Sequence, residues 1–148
     1  MADATIHEGG CLCGAIRYRM TGESLGSVIC TCLDCQKQNG TLPAFVRCPN
    51  ESFELIAGRP ASYRASPSAS REFCSRCGSF LFWRRDGGGH VGIALGSFDH
   101  PMAMPQPSVQ IFASRAVPWL PAVAGIQTFA EYPAPGVTIK PPSADRSG

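Results

Sequence analysis

REFCSRCGSFLFW, residues 71–83, joins two signals in one short run: a C-x-x-C pair, Cys74 and Cys77, and the aromatic start of a strand. Gly78, directly after the pair, lets the backbone turn tightly, so the segment reads as half of a metal-binding knuckle that leads into a strand. Zinc in such a site takes four ligands at tetrahedral corners, and closely spaced cysteines hold two corners with little loop entropy lost. A half-site needs a mate.

The chain has eight cysteines, and seven lie in chelating groups. Besides Cys74 and Cys77 these are Cys11 and Cys13 in a C-x-C, and Cys30, Cys32 and Cys35 in the C-x-C-x-x-C of CTCLDCQKQNG, residues 30–40; Cys48 stands alone. The mate of Cys74 and Cys77 is either Cys11 and Cys13 or two of the triplet. In the first pairing a metal stitches an early strand to a late one and stabilises a small β domain, and the triplet forms its own site with one open corner. Alternatively, Cys48 completes the triplet, and both sites are closed and structural. Cys48 falls in an expected strand rather than a chelating loop, and a lone cysteine is commonly a small buried hydrophobe. A disulfide framework carries less weight, because cytosolic thiols stay reduced.

A length of 148 residues with 44% hydrophobic and 16% charged residues fits one domain, expected over residues 1–133. From about Ala134 the sequence loses periodicity and gains Pro and Ser, so residues 134–148 are expected to form a loosely held tail. The net charge of +2 comes from scattered Lys and Arg, without the basic face of a nucleic-acid binder. No early run pairs a basic start with an apolar core, and no apolar stretch approaches the roughly 18–20 residues that span a bilayer. The expectation is a soluble, cytoplasmic protein without nucleic-acid or membrane partners; the sequence leaves its oligomeric state open.

Alternation predicts strands at 14–20, 43–49, 52–58, 79–85, 90–98 and 108–114, separated by turn clusters such as DGGGH, with one short helix at about 33–40. This is a mainly β pattern. The GGG at 87–89 lacks the Lys and following helix of a phosphate loop and reads as a hairpin turn.

GGCLCGAIRY (9–18), CTCLDCQKQNG (30–40), REFCSRCGSFLFW (71–83) and GSFDHP…SVQIFASRAVPW (96–119) together resemble the family of glutathione-dependent formaldehyde-activating enzymes and centromere protein V, in order, over roughly residues 7–133. The resemblance implies the Mss4-like fold, small twisted antiparallel β-sheets organised around zinc. It implies two Zn²⁺ per chain: a structural ion on Cys11, Cys13, Cys74 and Cys77, and a catalytic ion on Cys30, Cys32 and Cys35. Cys48 matches no family ligand. It also implies a carbon–sulfur lyase activity like S-(hydroxymethyl)glutathione synthase, in which a thiol such as glutathione occupies the open fourth position and adds to a small aldehyde such as formaldehyde. The centromere-protein branch keeps a second reading alive, a non-catalytic zinc module that binds a partner or a small thiol. Two positions depart from many relatives: Thr31, where His or Ser is common, and Gln110, where His is common.

Seven thiolates and two Zn²⁺ would take the formal charge from +2 to −1, so attraction of an anionic substrate falls to local basic residues. Lys37, Arg47, Arg71 and Arg76 lie near the cysteine segments, with a solvated surface position the default for each. His7, His90 and His100 lack chelating neighbours, so loop or surface positions are expected; His100 follows Asp99, whose carboxylate is placed to orient a neighbouring group. Arg84 and Arg85 read as the exposed end of a strand. Phe80, Phe82, Trp83 and Trp119 read as core or pocket wall.

Overall fold

The computed structural model describes residues 4–121 and 123–135. Among these residues eleven strands and one α-helix follow in the order β1 (Ile6–Gly10), β2 (Arg17–Thr21), β3 (Ser27–Cys30), α1 (Leu33–Asn39), β4 (Ala44–Pro49), β5 (Phe53–Ala57), β6 (Ala61–Ser66), β7 (Ala69–Phe73), β8 (Phe80–Arg85), β9 (His90–Ala94), β10 (Pro107–Ile111) and β11 (Gln127–Thr128). They form a three-stranded sheet, β1-β2-β5, and an eight-stranded sheet, β11-β10-β3-β4-β9-β8-β7-β6. Most pairs are antiparallel, but β10 runs parallel to both β3 and β11, so the large sheet is mixed. The expected tail lies almost wholly outside the described residues. No helix among those described is long and apolar enough to cross a membrane.

The two faces of the large sheet do different things, and the strand alternation decides which. Val46, Ile93 and Phe82 lie in one cross-strand row and join the main core against the small sheet. Tyr18 from β2 packs edge-on to Phe82 and Phe98 there, with ring centroids 5.3 and 5.4 Å apart, and Phe53 sits 5.0 Å from Phe82. The next row, Arg47, Gly92, Trp83 and Arg71, alternates to the opposite face. There Phe45, Phe80, Cys30 and Cys35 form a second buried cluster, with Trp83 packed against it. The cysteine triplet therefore sits behind the large sheet as seen from the small one.

Several sequence expectations shift for local reasons. The strand expected at 14–20 begins at Arg17, because Cys11–Ala15 form a turn. The run expected at 90–98 leaves the sheet after Ala94 for a single 3₁₀ turn. β10 stops at Ile111 because Phe112 adopts a left-handed backbone, φ 55°. The strand IHEGG at β1 escapes the alternation test because of its glycines. A Cβ at Gly9 would lie 2.4 Å from Tyr18 Oη and 2.5 Å from the Ser97 carbonyl, so the close approach of β1 to the 95–98 turn requires glycine. Arg84 is half-buried, stacked 4.9 Å over the Phe53 ring and paired with Glu72, rather than an exposed strand end. Trp119 is 71% exposed and contributes nothing to the core.

Candidate metal centres

Cys11 and Cys13 lie in the β1–β2 turn, and Cys74 and Cys77 in the β7–β8 turn, so each knuckle is the tip of a hairpin in a different sheet. All four sulfurs lie within 4.8 Å of one another. Cys13 Sγ is 3.6 Å from Cys11 Sγ and 3.8 Å from Cys74 Sγ. A tetrahedron with metal–sulfur distances of about 2.3 Å has edges of about 3.8 Å, so these separations suit a single four-coordinate ion.

The backbone around them is built to hold thiolates. The Ile16 amide donates to Cys11 Sγ at 3.3 Å, and the Cys77 amide donates to Cys74 Sγ at 3.5 Å. Gly14 and Gly78 take φ of 79° and 78°, which lets each turn wrap its sulfurs. Ser79 joins the two knuckles: its hydroxyl accepts from the Leu12 amide at 3.0 Å and contacts Cys77 Sγ at 3.2 Å. Hydrogen bonds from the Ser79 side chain and backbone hold the Cys77 thiol down to about 5.

The second group is Cys30, Cys32 and Cys35, whose sulfurs also lie within 4.8 Å of one another. Cys30 ends β3, Cys32 caps α1 and accepts from the Cys35 amide at 3.4 Å, and Cys35 is the buried residue of the helix. Contacts with Cys30 and then Cys35 hold the Cys32 thiol down to about 2, while the same kind of contact, added to burial, pushes Cys30 up.

Two polar side chains fix the loop that carries the triplet. Thr31 is fully buried, and its hydroxyl lies 3.0 Å from the Phe112 carbonyl, to which it donates. Gln36 donates to the carbonyls of Thr31 and Arg115 at 2.7 and 2.8 Å. Phe112, in its left-handed conformation, packs on the triplet cluster, and the Arg115 guanidinium lies 5.3 Å over the Phe112 ring. Sequence reasoning passed over Phe112 and Arg115; a non-glycine residue with positive φ has no composition signal.

Arg71 departs from its surface default. Only 7% exposed, it donates to Cys35 Sγ at 3.5 Å and to Gln38 Oε1 at 3.2 Å. Lys37 and Arg76 are exposed, and Arg47 is half-buried. Cys48 is fully buried in the main core, on the Val46 face of β4, whereas Phe45 on the other face belongs to the triplet cluster. Cys48 therefore does not complete the triplet; its thiol donates to the Pro49 carbonyl at 3.4 Å, and burial pushes it up to about 11.

None of the histidines joins a cysteine group. His7 and His100 line a surface cavity of about 360 Å³ together with Glu8 and Asp99, and none of the seven clustered cysteines borders it. Asp99 accepts two bonds from Arg17, at 2.9 and 2.5 Å, so the group it orients is that guanidinium. His90 is half-buried near Trp83, with ring centroids 6.3 Å apart.

Comparison with known proteins adds the following. The sequence model of the family described as "Glutathione-dependent formaldehyde-activating enzyme" matches residues 6–115. The crystal structure of a Rhodobacter sphaeroides protein from a structural genomics programme is 19% identical, with a TM-score of 0.54, covering 62% of this chain and 87% of that chain. At that identity the likeness speaks for the fold. No curated protein matches the chain.

Proposed function

This chain belongs to the family of glutathione-dependent formaldehyde-activating enzymes, and from that premise we propose that it is a zinc-dependent carbon–sulfur lyase acting on a thiol such as glutathione and a small aldehyde such as formaldehyde. Its mainly β architecture with two cysteine groups is the Mss4-like fold of that family. The observation that carries the proposal is the contrast between the groups: four sulfurs at tetrahedral spacing in one, three in the other.

Both groups fit zinc, since thiolate sulfur at this spacing is its usual structural donor set. When bound at the triplet, the ion supplies a Lewis-acidic position that lowers the pKa of a thiol from near 8.5 and holds its sulfur. The chain does the rest. Cys30, Cys32 and Cys35 would hold the ion, the Cys35 amide and Arg71 orient the sulfurs of Cys32 and Cys35, and Phe45, Phe80, Trp83 and Phe112 wall the site with apolar surface that limits water.

In the synthetic direction the thiol sulfur attacks the aldehyde carbon, a carbon–sulfur bond forms, the carbonyl π bond breaks, and the thiol proton ends on the oxygen. The product is a hydroxymethyl thioether; the lyase direction is the reverse. A cytosolic setting, where thiols stay reduced, is part of the same proposal.

The test is exchange of formaldehyde into its glutathione adduct, followed by NMR on zinc-replete protein. The wild type is expected to accelerate exchange, and Cys32→Ala to abolish the acceleration while keeping the four-cysteine metal and the fold. Unchanged acceleration in Cys32→Ala overturns the mechanism. Two bound metals without any acceleration in the wild type would leave a zinc module that binds thiols without turning them over.

A further inference from the structure

We propose that Arg71 is a positioning residue that sets the charge of the three-cysteine centre, so that its open corner takes an anionic sulfur ligand in preference to a neutral one. This rests on the reading of the triplet as an open metal centre.

The inference starts from a charge that needs a partner. A guanidinium stays protonated under all conditions a protein meets, and burying one without a counter-anion is strongly unfavourable. Arg71 is 7% exposed, yet it appears in none of the carboxylate ion pairs among the described residues. Its side-chain contacts are a neutral amide oxygen, Gln38 Oε1 at 3.2 Å, and a sulfur, Cys35 Sγ at 3.5 Å. Among the groups that touch it, the sulfur is the one that can carry compensating charge, with Asp34 adding a negative charge at longer range.

Three thiolates around a divalent cation leave one net negative charge, and one buried guanidinium cancels it. A neutral centre can accept a further thiolate; a centre already negative resists it and favours water or another neutral donor. Strand register brings this about. Arg71 sits opposite Trp83 on β8, in the cross-strand row that faces the triplet, and α1 supplies both Cys35 and Gln38 to receive its two nitrogens. The planar fork thus bridges a ligand and the helix that carries it.

The experiment uses the full chain loaded with Co²⁺, whose sulfur charge-transfer and ligand-field bands report both centres. Glutathione and imidazole are titrated separately as anionic and neutral probes of the open corner. In wild type, glutathione is expected to add a sulfur-to-cobalt band. In Arg71→Met its affinity is expected to fall about 10–100-fold, with that of imidazole nearly unchanged. Arg71→Lys, which keeps the charge and loses the fork, is expected to keep most of the preference for sulfur.

Cobalt at the four-cysteine centre reports folding in each variant. If Arg71→Met loses that signal, Arg71→Lys decides the matter, since loss of the sulfur preference in a variant that keeps the charge overturns the proposal. Equal losses for both probes in Arg71→Met, or no loss for either, also overturn it. No response to either probe in wild type would sink the open-centre reading itself, and this proposal with it; a wild-type response that Arg71→Met fully retains sinks only the role of Arg71.

Discussion

Gln110 Nε2 donates to Thr31 Oγ1 at 3.2 Å, and both side chains are buried. These are the two positions that the resemblance marked as unusual, and in the fold they form one hydrogen-bonded pair. The Thr31 hydroxyl spends its proton on the Phe112 carbonyl while accepting from Gln110, and it stands between the ligand positions Cys30 and Cys32. Thr31→Val keeps the shape, strands the Gln110 amide and frees the Phe112 carbonyl. The expected cost is about 1–3 kcal/mol in a denaturant titration, with weaker metal retention at the triplet alone. Adding Gln110→Leu is expected to recover part of it, because both polar groups are then gone. Strict additivity of the two changes would show that the pair is not coupled.

How much of this was legible in the sequence depended on whether the signal was local. The cysteine groups, the 33–39 helix, the GGG hairpin and the strands at β4, β5 and β8 follow from spacing and alternation within a few residues. β6 and β7 were not visible, because ASYRAS and ASREF carry one aromatic residue each and no β-branched residue, and hold their place by cross-strand pairing. The role of Arg71 was hidden for a related reason. Its partner Cys35 lies 36 residues away in sequence, and only the register of β7 against β8 turns that arginine toward α1.

The place of Cys48 yields a second prediction. It is fully buried among Val46, Val91 and Ile93, and its neutral thiol serves as packing volume. Cys48→Ala removes roughly one methyl-sized group and is expected to cost about 1 kcal/mol. Metal content, measured by elemental analysis, is expected to stay the same as in wild type. Loss of one metal per chain in this variant would mean that Cys48 reaches the triplet after all.

The Arg17–Asp99 pair ties β2 to the turn after β9, and it carries a pH signature. Hydrogen bonding from Arg17 holds the Asp99 carboxyl below its ordinary range. Because the folded-state pKa lies below the unfolded one, near 3.9, the contribution is fully present above that value and disappears as pH falls through the folded value. Both side chains are about a third or more exposed, so solvent and salt screen the pair and its worth is under about 1 kcal/mol. Arg17→Met is expected to lower stability slightly at pH 7, and the deficit is expected to narrow as the pH falls toward the folded Asp99 value, over the range in which the four-cysteine metal stays bound. A deficit that does not change over that range would assign the effect to lost packing rather than to the ion pair.

The two cysteine groups differ in what they join, and that predicts an asymmetry on metal loss. Cys11 and Cys13 belong to a hairpin of the small sheet, Cys74 and Cys77 to a hairpin of the large one, and their contact crosses 61 residues of chain. A metal there acts as a cross-link between the sheets, and its binding energy is folding energy. The triplet lies within β3 and the start of α1, so its metal closes only a six-residue span. Cys74→Ser is therefore expected to destabilise the chain by more than about 4 kcal/mol, the range in which loss of a metal falls. Cys32→Ser is expected to release one metal while the near-ultraviolet signal of the Tyr18, Phe53 and Phe82 cluster persists. Mild acid, which protonates ligand thiolates, should reproduce the order: the triplet loses its ion without unfolding, and unfolding accompanies release from the four-cysteine centre. Equal destabilisation by the two substitutions, or unfolding that coincides with the first metal released, would show that the triplet is as structural as its neighbour.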